Sequence, residues 1–317
     1  MLKTYLKVTI PAIMLAVAVS APAAQLSSDA RQAIPHNVQQ LVAIDYHAME
    51  NSTAAMGLRD RVMPPELKKF EEALHKSGLN ENHDVEQLAF ALFRLKEGDD
   101  RLETVGVAQG QFSLTDIMAN FRKQGLKVTL VRRNRVYPMS KTGMVVCFVD
   151  PSTMVFGSSE AVGKALDARD GITPSVLTNG SIMDAMKSVD TEPLWSILDK
   201  KGTQTMMRQV LGEAGSVTDF ETVSRRLEAS WYSMDFQHGV KFDLTISTGD
   251  PFSAATLSSL MTAALSVRKM SGSETEKQAL SATSISSNSG HLSIHFGTTD
   301  DGFDSLLKSP LFQSMVR

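Results

Sequence analysis

A five-residue block occurs twice in this chain, and its repetition restricts the fold more than any other feature. Residues 156–160 read FGSSE, and residues 296–300, 140 positions later, read FGTTD. Self-similarity at a fixed offset indicates an internal duplication. The same offset also pairs apolar residues elsewhere: Phe112 with Phe252, Ile117 with Leu257, and Phe121 with Met261.

The order of elements around each block predicts the fold class. Strand, helix, strand, strand, helix and strand follow one another, which is typical of a split βαβ, ferredoxin-like unit with an added hairpin and helix. We therefore predict an α+β protein of two tandem repeats, each a mainly antiparallel sheet with helices packed on one face. The predicted boundaries are a signal peptide at 1–23, a first repeat at 24–171, a connector at 172–192 and a second repeat at 193–317.

Residues 1–23 have the three parts of an export signal. Lys3 and Lys7 supply the positive start, residues 8–19 the apolar stretch, and residues 21–23, which read APA, the cleavage site. The apolar stretch is shorter than the roughly 20 residues that span a bilayer. We predict that the signal is cleaved, that no transmembrane helix follows it, and that the protein is periplasmic or secreted.

Charge and cysteine content restrict the partners and the sources of stability. The chain has 32 basic and 35 acidic residues, a net charge of −3 that disfavours nucleic acid as a partner. Cys147 is the single cysteine, so no intramolecular disulfide can form. Because it lies between Val146 and Phe148 in a strand pattern, we expect a small buried apolar side chain instead of a reactive thiol.

Helix signals are clear at several points. Residues 64–65 are both proline and open a helix whose apolar stripe includes Phe70. Ser113, followed three residues later by an acidic residue, predicts a capping box, and Ser158 predicts a helix N-cap. Residues 271–278, which read SGSETEKQ, are small and charged and predict a disordered loop.

Motifs for catalysis fail on spacing or on chain order. Residues 157–164 approach a phosphate-binding loop, but one residue too many separates the glycines, and Ala165 replaces the required hydroxyl. Residues 305–308 match SxxK and residues 141–143 match KTG, in the wrong order and without SDN. The sequence therefore predicts no catalytic and no cofactor-binding residues.

Candidate metal ligands lack the required spacing. Asn80, Asn82 and Asp84 alternate as in a calcium loop, but the glycine that such a loop needs is missing. His291 and His295 share one face of a predicted strand, where the rise per residue separates them by roughly 13 Å. We therefore predict no metal site.

One cluster of basic residues stands out. It lies on a predicted hairpin and could dock an acidic partner or a phosphorylated glycan; the alternative is a solvated hairpin rim. Its members are Arg132, Arg133, Arg135 and Lys141.

The repeated block itself provides structural corners. A glycine lets the chain pivot at the end of a strand, and a hydroxyl residue caps the helix that follows. The predicted corner residues are Gly157, Ser158, Gly297 and Thr298.

Residues 150–162, which read DPSTMVFGSSEAV, follow an apolar strand and are echoed near the C-terminus. With this block, the chain resembles uncharacterised, signal-peptide-bearing exported proteins of soil-type Gram-negative bacteria across residues 34–179. The resemblance implies export and an α+β fold, with Asp150 and Pro151 shaping a turn. It implies no activity, because that family has none assigned.

Three classes of function follow. The leading hypothesis is an exported, non-enzymatic protein that binds or scaffolds an envelope protein or glycan. The first alternative is a hydrolase-type enzyme whose site combines distant residues such as Asp45, His47 and His238. The second alternative is a carrier of an apolar ligand, which requires a continuous apolar cavity on the order of several hundred Å³.

Overall fold

The protein is an α+β molecule built on one large sheet. The computed structural model describes residues 25–95, 101–139, 143–211, 220–309 and 312. The predicted signal peptide at 1–23 lies outside these residues. The strands are β1 (Val38–Asp45), β2 (Val85–Arg94), β3 (Leu102–Gly110), β4 (Thr129–Val131), β5 (Asn134–Pro138), β6 (Met144–Asp150), β7 (Thr153–Ser158), β8 (Leu194–Leu198), β9 (Leu227–Asp235), β10 (Val240–Thr248), β11 (Thr283–Asn288) and β12 (His291–Thr298).

Helices connect the strands and cover the sheet. They are α1 (Ser28–Gln32), α2 (Tyr46–Glu50), α3 (Thr53–Val62), α4 (Pro65–Lys76), α5 (Glu81–Asp84), α6 (Leu114–Lys123), α7 (Ser159–Arg169), α8 (Gly180–Met186), α9 (Lys200–Leu211), α10 (Phe220–Arg226), α11 (Pro251–Ser271), α12 (Glu274–Ser281) and α13 (Asp300–Leu307). Within the described part of the chain, none of them combines the length and apolar character needed to cross a membrane.

The described strands form one twelve-stranded sheet in the order β11-β12-β10-β9-β8-β1-β2-β3-β7-β6-β5-β4. All neighbouring strands pair antiparallel, and β1 and β8 join the two halves at the centre. We call β1 to β7 with their helices the first half, and β8 to β12 with theirs the second half. The order β1-β2-β3-β7-β6 in the first half is matched by β8-β9-β10-β12-β11 in the second. The common order agrees with tandem repeats, whose origin by duplication stays a prediction.

The offset of 140 residues holds in part of the structure. Phe156 and Phe296 occupy matching places on β7 and β12. On the strands that pair with β7 and β12, namely β3 and β10, the offset changes. Val107 pairs with Val155, whereas Asp243 pairs with His295. Matching residues of β3 and β10 are therefore 136 positions apart. Because the slip is an even number of residues, each side chain keeps its face of the sheet.

The sheet has two faces with different cover. The Trp195 face carries Ala43, Ala89, Val107 and Val155 in one cross-strand row with Trp195. In the first half, α1 and α7 pack on this face and bury it, and α8 extends the cover onto β8 and β9. The opposite Phe156 face is covered in both halves, by α2, α4 and α6 around Phe156 and by α9, α10, α11 and α13 across the second half. The prediction of helices on one face therefore describes β10 to β12, whereas the first half and the neighbouring strands β8 and β9 have helices on both faces.

Two predictions about helix ends were wrong. Residues 271–278 are not a disordered loop, because the Ser273 side chain accepts a hydrogen bond from Glu276 N and the Glu276 carboxylate accepts one from Ser273 N, which starts α12. This reciprocal pair is a capping box, a signal that the charged composition concealed. Ser113, by contrast, makes no side-chain capping hydrogen bond at α6.

The predicted connector at 172–192 is part of the core. It contains a 3-10 turn at Val176–Thr178 and then α8. Val176, Ile182 and Met186 are buried on the Trp195 face. The segment therefore covers the sheet as well as joining the two halves.

Candidate functional site

A large cavity lies between the Phe156 face of the first half and helices α2, α3 and α4. Its volume is about 830 Å³. The side chains on its wall are mostly apolar. From the sheet they are Val42, Ile44, Leu88, Phe90, Met154, Phe156 and Leu194, and from the helices they are Met49, Met56, Leu58, Val62, Leu67, Phe70 and Leu74.

Helix α4 holds an aromatic cluster against the sheet. The Phe70 ring stacks on the Phe156 ring with centroids 4.8 Å apart, and Phe90 meets Phe156 edge-on at 5.8 Å. The helix begins where the two prolines predict, with Pro64 as N-cap. Its apolar stripe, predicted to face the core, therefore forms one end of the cavity.

A glycine on β3 makes room for the Phe156 ring. Gly106 pairs directly with Phe156 across β3 and β7. A Cβ at position 106 would lie 2.1 Å from the Cζ atom of Phe156, closer than any real contact. The ring therefore lies over bare backbone, and Gly106 and Phe156 both line the cavity.

The rim of the cavity is apolar and open to solvent. Val62 on α3 is 46% exposed, and Leu102 on β3 is 38% exposed. Large apolar side chains at the mouth of an apolar cavity leave an unfavourable surface in water, which a bound apolar ligand would cover.

Two pairs of polar side chains on the wall are engaged with one another. Arg59 Nη2 lies 2.5 Å from Glu71 Oε1, and the guanidinium carbon is 5.9 Å from the centroid of the Tyr46 ring. Burial opposes the charge of Arg59, but its hydrogen bond and charge attraction to Glu71 outweigh this and raise its pKa. On the sheet, the Ser158 hydroxyl donates to Glu103 Oε2 at 2.8 Å.

Sequence reasoning assigned no helix to residues 46–62, which supply much of this wall. The signals were present: Ser52 caps α3 by accepting from Ala55 N at 3.2 Å, and Asp45 caps α2 by accepting from Ala48 N at 2.9 Å. Both are residues that favour N-cap positions. The short length of α2 hid the pattern.

The predicted basic cluster lies at the β4–β5 edge of the sheet, and one of its members is held in an ion pair within the fold. Arg132 and Arg133 form the turn between β4 and β5 with positive φ angles of 49° and 63°. Arg132 pairs with the buried carboxylate of Asp167, with its Nη2 3.2 Å from Oδ2. Arg133 and Arg135 are exposed, and Lys141 lies outside the described residues.

The corner residues differ between the two halves. Gly157 has φ of 151°, and a Cβ there would lie 2.9 Å from the Thr104 carbonyl oxygen, whereas a Cβ on Gly297 would meet nothing. The Ser158 hydroxyl accepts from Ala161 N at 3.1 Å and caps α7, as predicted. In the second half the cap is Thr299, which accepts from Gly302 N, so Thr298 is the last residue of β12.

The residues considered for other chemistry are dispersed. Cys147 is fully buried, as predicted, and burial raises the pKa of its thiol to about 11. Asp45 caps α2, His47 lies 3.7 Å from Glu50, and His238 lies in the turn between β9 and β10; none of the three lines the cavity. Across the described ranges, no three His, Cys, Asp or Glu side chains converge as a metal site would require.

Comparison with known proteins supports the fold. No protein-family profile matches the chain, and no curated protein matches it. Among solved structures, crystal form I of TP0453 matches with a TM-score of 0.53 at 14% identity, covering 92% of this chain and 99% of that one. Crystal forms III and IV match at 13% and 12% identity, with TM-scores of 0.49 and 0.46 that are too low to carry an argument. The likeness to form I is one of fold alone.

Proposed function

We propose that this protein is exported and binds an apolar molecule of the lipid class in the cavity beneath α2, α3 and α4. The observation that carries the proposal is the cavity of about 830 Å³ with a mostly apolar wall. Ligand sites have volumes of roughly 300 to 1,000 Å³ and few polar groups. Export rests on the predicted signal at residues 1–23.

A binding role is favoured over a catalytic one by the state of the polar groups. Arg59 is paired with Glu71, and Ser158 both caps α7 and donates to Glu103. A catalytic site needs groups positioned to meet the substrate. Because these side chains are hydrogen-bonded to one another and not positioned to react with a substrate, they favour a binding role for the cavity.

A second partner at the basic hairpin is a weaker hypothesis. Of its four predicted residues, Arg132 is held by Asp167, which leaves Arg133 and Arg135 exposed among those described. An envelope protein or glycan therefore stays a prediction for this surface, as does the absence of nucleic acid among the partners.

Filling the cavity tests the proposal. Val42 projects from β1 into the cavity wall, so Val42→Trp places an indole where the ligand would lie. If the indole displaces two methylene groups of the ligand, affinity falls by about 1.6 kcal/mol, or more than about tenfold. The measurement is titration of the delipidated chain with an apolar fluorescent probe whose emission rises in an apolar site.

Val42→Ala is the matched control, because it enlarges the same wall. We expect it to bind the probe within about threefold of the original chain, which is a difference below about 0.7 kcal/mol. Circular dichroism and urea unfolding check that both variants are folded. Equal probe binding by Val42→Trp and Val42→Ala would place the probe elsewhere and overturn the proposal.

A further inference from the structure

We infer that the cavity selects an uncharged, hydroxyl-bearing amphiphile, such as a monoacylglycerol, and discriminates against one with an anionic head group. This inference rests on the proposed function. The observation behind it is the juxtaposition, on one apolar wall, of three carboxylates with one guanidinium that is already paired.

The charges on the wall are unbalanced. Among the described residues that line the cavity, Glu50, Glu71 and Glu103 are acidic and Arg59 is basic. Charges near an apolar, poorly hydrated wall are weakly screened, so their sign matters to an entering head group. The cavity wall as a whole therefore presents a net negative charge to a ligand.

Arg59, the cation that would attract an anion, is occupied. Its side chain and that of Glu71 are 20% and 22% exposed and lie 2.5 Å apart. The Arg59 guanidinium also lies over the Tyr46 ring, with its carbon 5.9 Å from the ring centroid. An anionic ligand would have to displace Glu71 and leave that carboxylate unpaired beside it, which is unfavourable in a half-buried place.

The remaining acids offer hydrogen-bond acceptors. Glu103 accepts from the Ser158 hydroxyl with one oxygen, and Glu50 is 34% exposed beside His47. A carboxylate has two oxygens and about four acceptor positions, so each retains capacity for a further donor. Hydroxyl groups supply donors, whereas a phosphate would bring like charge to the same oxygens.

The experiment compares two lipids that differ by one phosphate. Monopalmitoylglycerol and palmitoyl lysophosphatidic acid share the acyl chain and the glycerol, and each is titrated against the chain loaded with the apolar fluorescent probe. We expect monopalmitoylglycerol to displace the probe at a concentration at least about tenfold lower, a difference of about 1.4 kcal/mol. Equal or tighter binding of lysophosphatidic acid would overturn the inference.

Two double variants separate the local from the global effect of charge. Glu50→Gln with Glu103→Gln removes two negative charges from the wall and keeps side-chain size. It should strengthen lysophosphatidic acid binding about tenfold and weaken monopalmitoylglycerol binding, because an amide oxygen accepts a hydroxyl proton less strongly than a carboxylate does. Asp184→Asn with Glu274→Gln makes the same change in net charge at exposed positions on α8 and α12 and should alter neither. An unchanged preference in the first double variant contradicts the inference.

The outcomes distinguish this inference from the proposed function. If neither lipid displaces the probe and Val42→Trp has no effect on probe binding, the proposed function itself fails. If both lipids displace the probe and lysophosphatidic acid does so at the lower concentration, the cavity binds lipid but the assignment of an uncharged head group is wrong.

Discussion

One row of paired residues crosses ten of the twelve described strands, from β11 to β6, and shows how the two halves differ. On the Trp195 face it runs through His295, Asp243 and Ser233 in the second half and through Ala89 and Val107 in the first. His295 and Asp243 are more than half exposed, whereas Ala89 and Val107 are fully buried. Strands of the same order thus present opposite chemistry on the same face.

The difference follows from the period of the sequence. Residues 153–157 of β7 are all buried, because α7 packs on one side of it and the aromatic cluster on the other. Strand β10 alternates, with Leu244 and Ile246 buried and Asp243 exposed. Continuous apolar strands are typical of sheets covered on both faces, and alternating strands of sheets covered on one. The strand order determines which strands are neighbours, whereas the pattern of apolar side chains determines whether one or both faces of the sheet are covered by helices.

The shared Phe156 face differs as well. In the second half its core is filled, with Met207, Leu257 and Leu292 fully buried between the sheet and α9 and α11. In the first half α2, α3 and α4 leave the cavity open. The same strand order therefore accompanies a packed core in one half and an open apolar cavity in the other.

The largest expected effect comes from giving the first half the polar residue that the second half has. Val107→Asp copies Asp243 into the matching position, where α1 and α7 bury the Trp195 face. An unpaired buried charge should lower the free energy of unfolding by about 4 kcal/mol or more. Urea unfolding followed by circular dichroism measures it.

Thr245→Asp is the control for this substitution. It places the same residue on the same face in the second half, where we expect a change within about 1 kcal/mol, the span of strand propensities. Equal losses in the two variants would show that the second half is covered as fully as the first.

A smaller effect is expected at the two glycine corners. Gly157→Ala forces a left-handed backbone value on alanine and brings its Cβ against the Thr104 carbonyl, which should cost about 1 to 3 kcal/mol. Gly297→Ala meets nothing and should change stability by less than about 0.5 kcal/mol. Thermal and urea unfolding compare the two; similar losses would contradict the assigned difference between the corners.

The smallest effect on stability is expected at the N-caps of α6 and α11, the helices that follow β3 and β10. Asp250 accepts from the backbone N–H and hydroxyl of Ser253, and these hydrogen bonds lower its pKa below the ordinary value. A carboxylate with a lowered folded pKa stabilises the protein above its unfolded pKa, and the contribution is lost as the pH falls through the folded pKa. Asp250→Ala should therefore be less stable than the original chain at pH 7.

The deficit of Asp250→Ala should shrink as the pH falls below about 3.9, the ordinary pKa of aspartate. Ser113→Ala is the control from the first half, because Ser113 makes no capping hydrogen bond with its side chain. Its effect should be near zero and independent of pH. A deficit for Asp250→Ala that persists unchanged at pH 3 would contradict the assignment.

Much of the fold could be predicted from local pattern. The helix after Pro64, the cap at Ser158 and the buried place of Cys147 follow from residue type and periodicity, and the structure confirms them. The cavity could not be predicted in place, because it depends on distances between layers. Periodicity shows that α4 and β7 each have an apolar side, but not whether a third element keeps them apart.

The sequence by itself determined which sides of each strand and helix are apolar, because side-chain spacing is a local property of the chain. Only the tertiary structure decided that β1 and β8 join the halves into one sheet, that Phe156 lies over Gly106, and that α3 leaves an apolar space below it. These features depend on contacts between residues far apart in the chain, whose free energy depends on how whole layers fit together.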